Sequence, residues 1–126
     1  MMRHVIDTSA IMAILLDEPG QDVASRYVPD GILSAVNFAE ILTKCYEKAV
    51  PWEIAQTYLT GARVEVVAFD AERALVAAEL FARAKKGVLS LGDRACIATA
   101  IERNATIVTA DRIWELDLPC PVELIR

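Results

Sequence analysis

Arg3-His4-Val5-Ile6-Asp7-Thr8-Ser9-Ala10 passes from a short apolar strand, Arg3 to Ile6, through an acid, into a helix over Ser9 to Leu16. The same succession recurs along the chain. Asp17-Glu18-Pro19-Gly20 closes the first helix, Gln21 to Val28 makes a second, and Pro29-Asp30-Gly31 breaks it. Ile32 to Ala35 reads as a strand. Asn37 to Ala49 reads as a helix, because Phe38, Ile41, Leu42, Cys45 and Ala49 recur at spacings of three and four. Pro51 opens another helix to Leu59, which Gly61 ends. Val64 to Phe69 is β-branched and reads as a strand. Asp70 caps a helix to Lys86, with Ala74, Leu75, Ala78, Phe81 and Ala82 on one face and Lys85-Lys86-Gly87 as its C-terminal signal. Gly92 to Asn104 is a helix with Cys96, Ile97, Ala100 and Ile101 inward, followed by strands at Thr106 to Thr109 and Val122 to Ile125. Strands alternating with helices imply a parallel sheet covered on both faces.

The 126 residues are expected to form one domain, 1–126. Hydrophobic residues make up 55%, which points either to a well-filled α/β core or to an apolar surface meant for a partner. The longest clean apolar run, Ala10 to Leu16, is far short of the ~20 residues that a membrane-spanning helix needs. Met1 to Asp7 contains no long apolar region before its first acid, so a cytoplasmic location is expected. Cys45, Cys96 and Cys120 are scattered and form no CxxC pair, as small buried hydrophobes would be. A net charge of −5 argues against a general nucleic-acid coat. It leaves room for an enzyme whose acids are gathered in one cleft.

In open α/β sheets, ligands bind beyond the carboxyl ends of the strands. Asp7 follows the first strand and Asp111 follows the late one, Thr106 to Thr109. Taken singly, each reads better as a helix cap, Asp7 for the helix that starts near Ser9 and Asp111 for a short helix through Trp114. Asp93 opens a helix on the same face as Cys96 and Ile97, where a carboxylate is costly unless paired, hydrogen-bonded or bound to metal. An acid bonded to helix-start N–H groups is an equal alternative there. Glu40 lies opposite the apolar stripe of its helix, and periodicity alone makes it a solvated surface acid. The single histidine, His4, stands at the wrong end of the first strand, which excludes a two-histidine ribonuclease mechanism and disfavours a Ser-His-Asp triad. Without His or Cys clusters the metal chemistry is that of oxygen ligands, suited to Mg²⁺ or Mn²⁺ rather than zinc. No phosphate-cradling glycine motif occurs.

Four segments together resemble the PIN-domain family. They are Val5-Ile6-Asp7-Thr8-Ser9-Ala10, Ser34 to Ile41 with Glu40, Leu89-Ser90-Leu91-Gly92-Asp93-Arg94 running on to Ala98, and Ile107-Val108-Thr109-Ala110-Asp111-Arg112. The ordered set is similar to the VapC-type toxins of toxin–antitoxin pairs. The resemblance implies a three-layer α/β/α sandwich with a central parallel sheet. It implies Mg²⁺ or Mn²⁺ held by Asp7, Glu40, Asp93 and Asp111, with these acids as the catalytic set of an RNA endonuclease. It also implies a homodimer and a cognate antitoxin. Thr8 and Ser9 are candidates for orienting water or phosphate. Arg94 and Arg112 are candidates for contacting substrate phosphates, with pairing to the neighbouring acids as the alternative. Some relatives carry a further acid one turn after the third motif, where this chain has Cys96 and Ile97.

Two rival readings are weaker. A haloacid-dehalogenase-like phosphatase requires a second Asp where Ser9 stands, and a receiver domain requires paired acids where there is one. A non-catalytic interaction module would not need all four acids. Partner binding is expected at an apolar groove built from residues 10–16 and 36–59, including Trp52 and Tyr58, because Ala10 to Leu16 is apolar on every side.

Overall fold

The computed structural model describes residues 3–84, 87–112 and 118–126. Its elements run β1 (His4–Ile6), α1 (Thr8–Leu15), α2 (Gln21–Tyr27), β2 (Ile32–Ser34), α3 (Ala35–Glu47) and α4 (Trp52–Gly61). They continue with β3 (Glu65–Val67), α5 (Ala71–Arg83), α6 (Leu91–Arg103), β4 (Thr106–Thr109) and β5 (Val122–Leu124). The strands form one sheet in the order β3-β2-β1-β4-β5, parallel throughout.

Side chains of successive strand residues point to opposite faces. Ile6, Leu33 and Val108 enter a core with α1 to α4, while Val5, Ile32 and Ile107 enter a second core with α5 and α6. The result is the expected three-layer α/β/α sandwich, and the central strands are apolar on both faces for that reason. Right-handed crossovers account for the strand order. Helices on one face carry the chain outward from β1 to β2 to β3. The return to β4 uses helices on the other face, so it must step the opposite way. The order therefore reverses between β1 and β4, where α/β folds place their ligands.

Three expectations about packing need correction. Leu75 and Phe81 of α5 are 73% and 44% exposed, and the core side of that helix is Val76, Ala77 and Leu80. The helix carries two apolar stripes, and periodicity picked the wider one. Ile101 of α6 is 39% exposed rather than inward. Ala10, Ile11, Met12 and Ala13 are buried within the molecule against α2, α3 and the sheet, while Ile14, Leu15 and Leu16 are half-buried, so most of the apolar surface of α1 is covered without a partner. Of this expected groove segment, Met12 and Leu16 line the cleft that holds Asp7. Of the expected groove residues, Trp52 and Ile54 are exposed while Ala55 and Leu59 are buried. The expected helix end at Lys85-Lys86 and the short helix through Trp114 lie outside the described residues.

Candidate active site

Asp7 begins where β1 stops. Its N–H still donates to Val108 O (2.9 Å), and its extended backbone makes it the N-cap of α1. The side chain is buried, and Oδ2 accepts from Ser9 N–H (3.3 Å), Ser9 Oγ (2.5 Å) and Thr109 Oγ1 (2.9 Å). The same two hydroxyls accept backbone N–H groups from the end of β4. Ala110 donates to Ser9 Oγ (2.9 Å) and Asp111 to Thr109 Oγ1 (3.0 Å). The capping reading of Asp7 is thus correct as far as it goes, and the cap is also stitched to the neighbouring strand. Desolvation raises the Asp7 pKa to about 6, against the pull of its hydroxyl partners and with help from the charge of Asp93.

Glu40 is where periodicity misled. Ser34 ends β2 and caps α3 directly, so no loop separates strand from helix. The first turns of α3 therefore lie over the carboxyl edge of the sheet, and the face opposite the core stripe looks into a cleft rather than into bulk solvent. Glu40 Oε1 accepts from Thr8 Oγ1 (2.7 Å) and from Asn37 Nδ2 (2.9 Å). Asn37 is fully buried and also donates to Gly92 O (3.1 Å), tying α3 to the start of α6. A Cβ on Gly92 would overlap the Glu40 carboxylate, so a larger residue here would push that carboxylate out of its place.

Asp93 closes a capping box: Ser90 Oγ accepts its N–H (3.2 Å), and its Oδ2 accepts the Ser90 N–H (2.9 Å). The helix-start alternative is therefore realised. Burial raises its pKa, the Ser90 bonds oppose this, and the charges of Asp111 and Glu40 add to the rise. Asp7, Glu40, Asp93 and Asp111 line one cleft of about 400 Å³, with Thr8 and Ser9 on its floor. Two candidates take other places. Arg94 donates to Ala77 O (3.1 Å) and Leu89 O (3.4 Å) and lies over the Phe81 ring, so it braces α6 against α5. It neither lines the cleft nor pairs with Asp93. Arg112 donates to Arg126 O (2.8 Å) and is also outside the cleft lining.

The donor set is carboxylate and hydroxyl oxygen, which fits a hard divalent cation. Among the described residues no three His, Cys, Asp or Glu side chains are placed to hold a metal together. That geometry still suits Mg²⁺, which keeps several waters and takes one or two carboxylates plus substrate phosphates.

A family model, the PIN domain, matches residues 4–116. The chain belongs to the PIN domain family. No curated protein sequence matches it. Its fold is similar to that of a chain in a toxin–antitoxin complex from Klebsiella pneumoniae, with a TM-score of 0.80, 14% identity and 98% of each chain covered. It is also similar to a chain of DNA-bound VapBC from Salmonella typhimurium, with a TM-score of 0.72, 20% identity and both chains covered entirely. VapBC2 from Rickettsia felis bound to a promoter DNA fragment gives 0.72 at 19% identity, covering 98% of each chain.

Several residues of this PIN domain's cleft escaped sequence reasoning. Thr109 and Asn37 passed as ordinary strand and helix residues; an amide three before Glu40 is within reach of its carboxylate, whereas Thr109 reaches Asp7 across the sheet, where no local spacing marks it. Lys44 and Lys48 also line the cleft. Their signal was spacing: they follow Glu40 at successive steps of four.

Proposed function

We propose that this PIN domain is a divalent-metal-dependent endoribonuclease acting as the toxin of a toxin–antitoxin pair. The observation that carries the reading is the gathering of Asp7, Glu40, Asp93 and Asp111 in one cleft at the sheet's reversal point, with burial opposing the ionisation of Asp7 and Asp93. Crowded carboxylates repel, and an interior that disfavours their charge makes a cation the natural complement. One or two carboxylates at a time from among Asp7, Glu40, Asp93 and Asp111 would hold Mg²⁺ or Mn²⁺, with water and substrate phosphate completing its shell. When bound, such an ion acidifies water and neutralises charge building up at a phosphodiester.

The chain's own part is positioning. Ser9 and Thr109 fix Asp7 Oδ2. Thr8 and Asn37 fix Glu40 Oε1, and Ser90 fixes Asp93 Oδ2. A site held to one geometry before substrate arrives needs little reorganisation in the reaction. RNA is the substrate we assign, with a cognate antitoxin as partner, a homodimer as the assembly and the cytoplasm as its place. The toxin–antitoxin complexes among its structural neighbours support the partner. No helix among the described residues is long and apolar enough to cross a membrane.

Purified protein mixed with labelled single-stranded RNA tests the reading. Cleavage should occur with Mn²⁺ or Mg²⁺, stop with chelator and be absent in Asp7→Asn. A protein that leaves RNA intact in both metals is instead a non-catalytic interaction module or another metal-dependent phosphoryl-transfer domain.

A further inference from the structure

Among the described residues most arginines are committed to ion pairs. Arg3 and Arg103 pair with Glu65, Arg63 with Asp30, Arg73 with Glu72 and Glu102, and Arg83 with Glu79. The lysines are placed otherwise. The sequence has four, and Lys85 and Lys86 lie outside the described residues. The other two, Lys44 and Lys48, are exposed, and neither makes an ion pair among the described residues. Both line the cleft that holds the four acids. In a chain of net charge −5, they put positive charge on the wall of an acidic cleft, whose other cation, Arg126, lies 3.7 Å from Glu18.

We propose that Lys44 and Lys48 form a phosphate track, binding the first and second phosphates beyond the one that is cut. The proposal rests on the ribonuclease reading above. Glu40, Lys44 and Lys48 follow one another at steps of four along α3, so they share a face and advance about 6 Å per step. That is close to the step between successive phosphates of a nucleic-acid strand. With the reacting phosphate at the acids, one side of the strand passes each lysine in turn. Lysine suits this role because its compact charge on a flexible stem accepts a phosphate without reading the base. The track also resolves a conflict of charge. The protein's overall field repels RNA, and a short run of cations lets the strand approach the acids. Both lysines stand at the C-terminal end of α3, whose dipole favours cations.

The test compares wild type with the double variant Lys44→Gln/Lys48→Gln in the presence of Mn²⁺, using a labelled single-stranded RNA of about a dozen nucleotides. The variant should show a KM raised about tenfold or more with kcat much less affected. The dependence of log KM on log salt should become shallower by about 1.4, because two phosphate contacts at about 0.7 each are lost. Lys44→Arg/Lys48→Arg should restore most of the KM. A dinucleotide, too short to reach the lysines, should be cleaved equally by both proteins. Equal melting temperatures control for folding. An active wild type matched by the double variant in KM and salt slope overturns the track alone, as does an equal loss on the dinucleotide. A wild type that cleaves no RNA overturns the ribonuclease reading and the track with it.

Discussion

Burial holds the Asp7 carboxyl at a pKa of about 6, against 3.8 for an ordinary aspartate. The native state then binds that proton more tightly than the unfolded chain does. The stabilisation from this proton is complete below about pH 4 and is lost as pH rises through about 6. At about pH 8 and without metal, ionised Asp7 should cost on the order of 3 kcal/mol. Asp7→Asn keeps an oxygen for Ser9 and Thr109 and carries no charge. It should therefore be more stable than wild type at about pH 8 in chelator, with the difference shrinking toward pH 4, while cleavage is lost. Denaturant titrations at the two pH values check this, and equal stabilities throughout would contradict a desolvated Asp7. Gly92→Ala should behave differently. By propensity alone it would stabilise α6 by up to about 1 kcal/mol. The new methyl displaces Glu40, so activity should fall at least about tenfold with little change in melting temperature. Single residues were legible in sequence only in part. Asp7 and Asp111 stood at strand ends, where position alone marks them. Glu40 had no local signal, because its exposure to the cleft depends on β2 running straight into α3.

Elements were read well where one stripe of apolar residues met one partner, as in α3, with its buried Ile41 and Cys45. They were read poorly where a helix carried two stripes. On α5 Leu75 and Phe81 face outward, and Ala77 and Leu80 face the core beside α6, which packs closely against that side. Paired substitutions separate the two stripes. Leu80→Ala should cost about 2–4 kcal/mol, and Leu75→Lys should stay within about 0.5 kcal/mol of wild type. The reverse order, measured by chemical denaturation, would mean that α5 is rotated. The enclosed α1 gives a further check: Ile11→Ala should cost about 2–5 kcal/mol in the single chain, since Ile11 is fully buried without any partner.

At the scale of the whole molecule, the alternation of strands and helices carried the architecture, including the parallel sheet and its two covered faces. The strand order was not in the pattern itself; it follows from crossover handedness once the helices are assigned to faces. The convergence of the four acids needed both that order and the ordered motifs. An ion that binds only the native fold should raise the melting temperature by mass action, with the rise removed by chelator and absent in an Asp7→Asn/Asp93→Asn variant. Identical melting curves with and without millimolar-scale Mn²⁺ would count against a preformed site. The central claim is that the cleft between β1 and β4 is a metal centre. Its most direct test is an anomalous difference map from crystals of this protein grown or soaked in Mn²⁺. The account predicts a manganese peak in that cleft within coordination distance of Asp7 and at least one of Glu40, Asp93 and Asp111. A map at full manganese occupancy elsewhere, with no peak among these four carboxylates, would contradict it.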